Sequence, residues 1–320
     1  MCLSIGMAQF KPIEIIFSST VECNLHCPHC FVNRDTQNLS VEKASRFLES
    51  CKNTSIEGFS GGEPFLYPDF LVALCEKTIQ MDLLFDRIMT NGVWWNTEEE
   101  LTSTLERIYN AGFDGKIGLS FDSFHGQDIR KITLFVKTVY DIWQEGDVLE
   151  IQSVVNKENP EDTKEIIEKL LQALPILEEC TPEYDIEKNN TGIITLQNST
   201  YFLPIYRFNQ SYLSAKGQWN DKKWFIEDYC QGPGHVLYVQ ASGKISPCCG
   251  FANENPTLQI GNIEDDFKVI MENANKNPMI QTCYVTGLEA KRKELEKQGH
   301  VFPGKTEDMC MFCDYICNLE

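Results

Sequence analysis

Residues 14–30 read Glu14-Ile15-Ile16-Phe17-Ser18-Ser19-Thr20-Val21-Glu22-Cys23-Asn24-Leu25-His26-Cys27-Pro28-His29-Cys30. The short apolar run Glu14 to Phe17 has the length and composition of a β-strand. Three cysteines spaced C-x3-C-x2-C then fall on the loop that leaves its carboxyl end.

About thirty residues on, Ile56-Glu57-Gly58-Phe59-Ser60 reads as a second strand running into Gly61-Gly62-Glu63-Pro64. Between the two, Val41, Ala44, Phe47 and Leu48 recur at helical spacing and predict a helix over 41–50. The alternation continues with a helix over about 69–80 and a third strand at Arg87-Ile88-Met89 that ends at Thr90-Asn91-Gly92. Thr97 as N-cap with Glu100 three residues on forms a capping box, and Gly112 is the expected left-handed residue after that helix. Strands follow at 116–121 and 149–155, separated by a long helix whose apolar face is Ile129, Ile132, Phe135, Val136, Val139, Ile142 and Trp143. Asn159-Pro160 opens the next helix as N-cap and first residue, with Ile166, Ile167, Leu170, Leu171 and Leu174 on its buried face. A sixth strand is expected near Tyr201 to Tyr206, and residues 219–224 read as a linker. Repeated βα units imply a parallel sheet. Six units fall short of the eight that close a barrel, so the expected fold is α/β, a partial (β/α)6 TIM-like barrel over residues 1–218. A small cysteine-rich hairpin and helix domain is expected over 219–320. Active sites of such barrels lie at the carboxyl ends of the strands, where Cys23, Gly61, Asn91, Ser120 and Asn156 fall.

Composition narrows the function. The 320 residues carry 28 basic and 47 acidic side chains, a net charge of −19. Phosphate backbones and anionic membranes would be repelled, so nucleic acid and membrane are excluded as expected partners. No basic and apolar secretory signal opens the chain, and no run approaches a membrane span, so a cytoplasmic protein is expected. Fourteen cysteines in a reducing compartment point to metal rather than disulfides.

Three thiolates are one short of closing a four-iron cubane, which leaves one iron open for chemistry. A structural zinc site or a redox pair would use the same residue type. The Gly61-Gly62 pair lets backbone approach a ligand closely, and Glu63 beside it can hold an ammonium group.

The cysteine triplet and the Gly-Gly-Glu-Pro segment together resemble the radical S-adenosyl-L-methionine (SAM) enzymes. The resemblance implies a [4Fe–4S] cluster on Cys23, Cys27 and Cys30, whose open iron chelates the amino and carboxylate groups of SAM. Reductive cleavage then yields a 5′-deoxyadenosyl radical that abstracts hydrogen from substrate. It also implies that Glu63 with the Gly61 and Gly62 backbone receives the SAM amino group. Ser120 and Asp122 would contact its sugar or amino acid part, Arg130 its carboxylate, and Phe31 would lie near the adenine. A solvated surface charge is the alternative for Arg130, and core packing for Phe31. His125 reads as structural or exposed.

Seven cysteines lie beyond residue 225: Cys230, Cys248, Cys249, Cys283, Cys310, Cys313 and Cys317. Ala241-Ser242-Gly243 between two apolar runs reads as a β-hairpin turn. This part resembles the SPASM/Twitch extension of radical SAM enzymes, which implies a second [4Fe–4S] cluster on Cys230, Cys248, Cys310 and Cys313. Zinc would accept the same four thiolates, and Cys317 competes with Cys310. Cys249 is then a thiol that the four-ligand set does not need. A hairpin Cys-Cys with a later C-x2-C resembles the epipeptide-type peptidyl epimerases. That resemblance implies a ribosomally made precursor peptide as partner, Cα hydrogen abstraction, and return of hydrogen to the opposite face from a thiol. Cys249 is the favoured donor, with Cys248, Cys283 and Cys317 as alternatives. A low-potential electron donor such as flavodoxin or ferredoxin is implied too. Oxidative thioether or carbon–carbon cross-linking of a peptide, or dehydrogenation of a small alcohol, are the competing chemistries.

Overall fold

A computed structural model describes residues 10–34, 37–51, 54–156, 159, 161–186, 191–210, 217–226, 230 and 235–319. The chain divides into two compact units. One comprises Ser18–Val41 and Glu57–Gln210, the other Met1–Phe17, Glu42–Ile56 and Ser211–Glu320.

The first unit carries the α/β part. Its strands are β2 (Ile56–Ser60), β3 (Leu84–Thr90), β4 (Lys116–Ser120), β5 (Leu149–Val154), β6 (Thr181–Ile186), β7 (Gly192–Gln197) and β8 (Phe202–Phe208). They are ordered β2-β3-β4-β5-β8-β7-β6, an open sheet of the partial-barrel kind. β3, β4, β5 and β8 run parallel in register Ile88↔Ile117, Leu119↔Ile151 and Ile151↔Ile205. The alternating βα pattern thus gives the parallel sheet it predicted, with β8 on the segment expected as the sixth strand; β1 (Glu14–Ser18) precedes them in the chain. The antiparallel hairpin β6–β7 beside β8 was not anticipated. Its outer strand Thr181-Pro-Glu-Tyr-Asp-Ile is mostly exposed, so it has no apolar alternation to read.

Local signals set the helices. Thr97 Oγ1 accepts from Glu100 N at 3.1 Å and opens α3 (Glu98–Asn110). Glu100 closes its half of the box on the N–H of Asn96, at 2.7 Å, rather than on that of Thr97. Gly112 follows at φ 93°. The α4 helix (Ile129–Trp143) buries Ile132, Phe135, Val136, Val139 and Trp143 on one stripe. The helix expected from Asn159-Pro160 starts later, as α5 (Asp162–Ala173). Asn159 instead receives the N–H groups of Glu161 and Asp162, a turn that precedes the helix, while Pro160 lies outside the described residues. The α2 helix (Pro68–Gln80) matches its expected span within a residue.

The second unit holds β1, α1 (Val41–Ser50) from its second residue onward, and the carboxyl-terminal segment. Parallel β9 (Val236–Val239) pairs with β1, Ile15 opposite Leu237. The predicted hairpin then joins β9 to β10 (Lys244–Ser246), its turn closed by Gly243 N–H to Gln240 O at 2.8 Å. β11 (Gly261–Asn262) completes this part. The helices α6 (Phe267–Lys276), α7 (Pro278–Gln281), α8 (Leu288–Lys297) and α9 (Met309–Cys317) follow. Their core is Leu258, Met279, Leu288, Phe312 and Ile316 with Cys283, Cys313 and Cys317. Residues 219–224 are not a linker. Trp219 packs edge-on to Tyr315 at 5.0 Å and Trp224 to Phe302 at 5.3 Å, and Asn220 bridges to Lys305. Two tryptophans in six residues bury too much apolar area to stay outside a core.

Candidate active site

The cysteine loop is closed at its base and hung from the β2 loop. Thr20 bridges to Asn38, its Oγ1 donating to Asn38 Oδ1 at 2.6 Å, so the intervening residues form one excursion. Gly62 N–H donates to Thr20 O and Glu63 N–H to Glu22 O, both at 2.7 Å. This approach explains the two glycines. A Cβ on Gly61 would sit 2.3 Å from Thr20 O, and one on Gly62 would sit 2.1 Å from Glu22 O. Both positions press against the strand of backbone that leads into Cys23.

A cavity of about 190 Å³ opens here. Cys23, Cys27 and Cys30 line it with His29, Phe31, Arg34, Gly61, Gly62, Asn91, Ser120 and His125, among others. Seven residues read from sequence as site components are therefore gathered: the three cysteines, the glycine pair, Ser120 and Phe31. Asn91 Nδ2 lies 3.7 Å from Cys23 Sγ and donates to Asn24 Oδ1 at 2.8 Å, anchoring the loop to the end of β3.

Burial, with Cys23, Cys30 and Asp122 close by, pushes the Cys27 thiol up to about 11. Burial raises Cys23 as well. Thiols raised in this way need added positive charge to ionise, and iron supplies it. One buried polar atom of a cavity-lining residue, His29 Nδ1, lacks a protein partner among the described residues. The donor set and this orphaned atom fit a cluster and a polar ligand.

Three other predicted residues are placed differently from the simplest expectation. Glu63 is wholly buried, and its carboxylate accepts from Phe65 N (3.2 Å), Thr90 Oγ1 (2.9 Å) and Asn91 N (2.7 Å). It caps the turn after β2, and among its neighbours it is Gly61, Gly62 and Pro64 that line the cavity. Asp122 is buried on the loop after β4, bonded to Phe124 N, Val154 N and His125. Arg130 is 88% exposed and paired with Asp128 at 2.7 Å on the first turn of α4. Arg34 and His125 line the cavity instead, and sequence reading missed Arg34 and discounted His125. A lone cation four residues past the last cysteine, and a histidine three residues past an aspartate, were the available signals.

A second thiol group lies in the other unit. A Cβ on Gly250 would be 3.6 Å from Cys310 Sγ and 3.8 Å from Cys248 Sγ, so these two sulfurs flank one point. Cys248 Sγ accepts from Gly250 N at 3.3 Å. Asp308 caps α9 through the N–H groups of Cys310 and Met311. Burial, then Asp308, Cys248, Cys230 and Cys249 raise Cys310, which places those thiols in electrostatic reach of it. Cys283 Sγ lies 3.6 Å from Cys313 Sγ, and both are buried with Cys317. Cys249 is exposed.

A thiol triplet at the carboxyl end of an open α/β sheet, locked to a glycine-rich turn, defines the class of site. The chain belongs to the Radical SAM superfamily, whose profile matches residues 17–181. Membership implies a [4Fe–4S] cluster and SAM. The chain is 30% identical over 146 residues to the 7-carboxy-7-deazaguanine synthase of Methanothermobacter thermautotrophicus, a match covering 42% of this chain and 51% of that protein. The chain therefore spans about half the length of this curated relative. Among solved structures, native anSMEcpe with bound AdoMet and Cp18Cys peptide aligns with a TM-score of 0.53 at 14% identity, over 97% of this chain and all of that one, 100%. Streptococcus suis SuiB bound to S-adenosylmethionine aligns at 0.53 and 15% identity, over 84% of this chain and 67% of that one. At such identities the likeness is one of fold. No helix among the described residues is long and apolar enough to cross a membrane.

Proposed function

We propose that this radical SAM enzyme epimerises L- to D-residues in a ribosomally synthesised precursor peptide. In this reading Cys23, Cys27 and Cys30 hold the catalytic [4Fe–4S] cluster, and Gly61, Gly62, Ser120 and Phe31 cradle SAM. Cys230, Cys248, Cys310 and Cys313 hold an auxiliary [4Fe–4S] cluster in a domain over 219–320. Bound SAM and its cluster supply the 5′-deoxyadenosyl radical that removes a Cα hydrogen.

The observation that carries the reading is Cys249, an exposed thiol next in sequence to Cys248, whose sulfur flanks Gly250 together with that of Cys310. A Cα radical between amide and carbonyl is nearly planar, so its configuration is set by the face on which hydrogen returns. The Cys249 S–H bond breaks and a Cα–H bond forms. One electron from a reduced flavodoxin or ferredoxin and one proton from water then restore the thiol. Peptide as the substrate class is supported by the fold shared with anSMEcpe, solved with a bound peptide.

The test is the mass of a candidate precursor peptide after anaerobic turnover in D2O. A gain of about one mass unit per modified residue is expected, because a thiol exchanges its proton with solvent. Cys249→Ala should abolish it while deoxyadenosine still forms. A loss of two mass units without deuterium uptake would replace epimerisation by oxidative cross-linking or dehydrogenation.

A further inference from the structure

The proposed chemistry leaves unused an acid–imidazole pair on the wall of the cysteine cavity. Asp122 and His125 are joined by a 2.7 Å contact between Oδ1 and Nδ1. Their side chains are 0% and 12% exposed. The pair is built by the turn itself, since His125 N–H donates to Asp122 O at 3.3 Å and brings the two side chains onto one side.

The carboxylate has little freedom. Oδ1 also accepts from Phe124 N at 2.9 Å, and Oδ2 accepts from Val154 N at 3.0 Å, a strand away on β5. The imidazole is held as firmly. His29 meets it edge-on with ring centroids 4.9 Å apart, and His29 rests against Phe124 at 5.1 Å.

An ionised carboxylate only accepts, so Nδ1 carries the proton in the neutral ring and Nε2 carries the lone pair. Burial would push the Asp122 carboxyl up, but the hydrogen bonds from His125 and the Val154 N–H work against it, and the group stays below the usual carboxylate range. Among the described residues Nε2 meets no protein partner, and His125 lines the cavity together with the cysteines and Ser120. The pocket is thereby given a directed acceptor at a fixed place.

His29, Asp122 and His125 also bring three candidate ligand atoms within 4.8 Å, the spacing of a mononuclear metal site. Such an ion would have to displace the Asp122–His125 bond, and both Asp122 oxygens already accept backbone N–H groups. The hydrogen-bonded arrangement is the one the geometry favours.

We propose that His125, with its tautomer set by Asp122, accepts a hydrogen bond through Nε2 from a hydroxyl or amine of the SAM nucleoside. His125 is then a cofactor-binding residue and Asp122 a positioning residue. The inference rests on this cavity being the SAM site and not on the peptide chemistry proposed above.

The experiment is SAM binding to the anaerobically reconstituted protein by equilibrium dialysis, with iron content and cluster EPR recorded for every variant. His125→Leu should weaken binding about 10- to 50-fold at unchanged iron content, the loss expected for one buried acceptor. His125→Gln, which keeps an acceptor, should recover most of it. SAM analogues lacking the 2′-hydroxyl, the 3′-hydroxyl or the adenine N–H groups identify the donor. One of them should lose a similar factor against wild type and nothing further against His125→Leu.

Equal SAM binding by wild type and His125→Leu overturns the inference while leaving the cavity assignment intact. An additional non-cluster metal per chain, lost in His125→Leu, also overturns it in favour of a metal site. Should His125→Leu fail to hold its cluster, the same analogue comparison with His125→Phe, which keeps a ring but offers no acceptor, decides, and no coupling to any analogue overturns the inference. Wild-type protein that does not bind SAM overturns the cavity assignment and the inference with it.

Discussion

Glu63 Oε2 accepts a 2.7 Å hydrogen bond from the backbone N–H of Asn91, tying the turn after β2 to the end of β3. Asn91 in turn reaches the cysteine loop through Cys23 and Asn24. Glu63 therefore acts on the cavity through its frame.

This frame predicts a pH dependence. Burial raises the Glu63 pKa from 4.5 to about 7, against the hydrogen bonds of Asn91, Thr90 and Phe65. The folded state holds this proton more tightly than the unfolded chain. Its stabilising contribution is complete below about pH 4.5, is lost as pH rises towards 7, and changes little beyond; the span is on the order of 3 kcal/mol. The urea midpoint should fall between pH 5 and 7 more steeply in wild type than in Glu63→Gln. The variant should also be less stable throughout, because its amide sets a donor against the Asn91 N–H. Identical slopes in the two proteins would rule out Glu63 as the titrating group.

The glycine pair allows a contrast that separates steric from conformational effects. Gly62→Ala places Cβ 2.1 Å from Glu22 O and 2.6 Å from Val21 O, both backbone atoms that cannot turn aside. It should cost more than about 2 kcal/mol and reduce cluster loading, since the displaced segment leads into Cys23. Gly126→Ala, at φ 61° with nothing within 4 Å, should cost only the left-handed strain of about 1 kcal/mol. Urea titration and iron counting check both. Equal losses in the two variants would contradict the packing argument.

The two outcomes at the cavity show what a sequence makes legible. Cys23, Cys27, Cys30 and the Gly61-Gly62 turn are local motifs at the ends of strands with strong periodicity, and their meeting in one cavity followed from βα topology. The same holds for α3 and α4, whose caps and apolar stripes are written within the helix or one residue beyond it. Arg34 and His125 carry no such signal. Their importance comes from which wall they reach, through contacts with Leu25, His29 and Asp122 that depend on loop conformation. Residues 219–224 were misread because their polar middle, Asn220 to Lys223, suggests a linker, while their tryptophans pack against a helix nearly a hundred residues later. The β6–β7 hairpin was missed because an exposed edge strand needs no alternation.

Arg34 and Arg130 give a direct comparison. Arg34 lines the cavity and donates to Leu25 O, whereas Arg130 is exposed and paired with Asp128. If a guanidinium receives the SAM carboxylate, Arg34 is in place for it. Arg34→Met should weaken SAM binding about tenfold or more, the range for a hydrogen bond to a charged group. Arg130→Met should change it less than about threefold, as removal of an exposed ion pair does little. The opposite ranking in equilibrium dialysis would restore Arg130 as the carboxylate partner.

Glu57 offers a test of a group with no role in the cavity. It sits on β2, fully buried, with both carboxylate oxygens lacking a partner among the described residues. Burial holds its pKa well above the ordinary glutamate value, so the folded state keeps it protonated at a cost that rises with pH. Cys75 is near enough to feel the charge Glu57 would carry if ionised. Replacing a buried, unpaired acid with an apolar side chain of similar volume removes the desolvation cost without opening a cavity. Glu57→Leu should therefore stabilise the protein by about 1 to 3 kcal/mol at pH 8, and by less at pH 5, where the unfolded chain is already losing its charge. Urea unfolding at the two pH values measures both the gain and its pH dependence. A loss of stability at pH 8 would mean that the carboxyl group is satisfied by ordered water, which Leu would then displace.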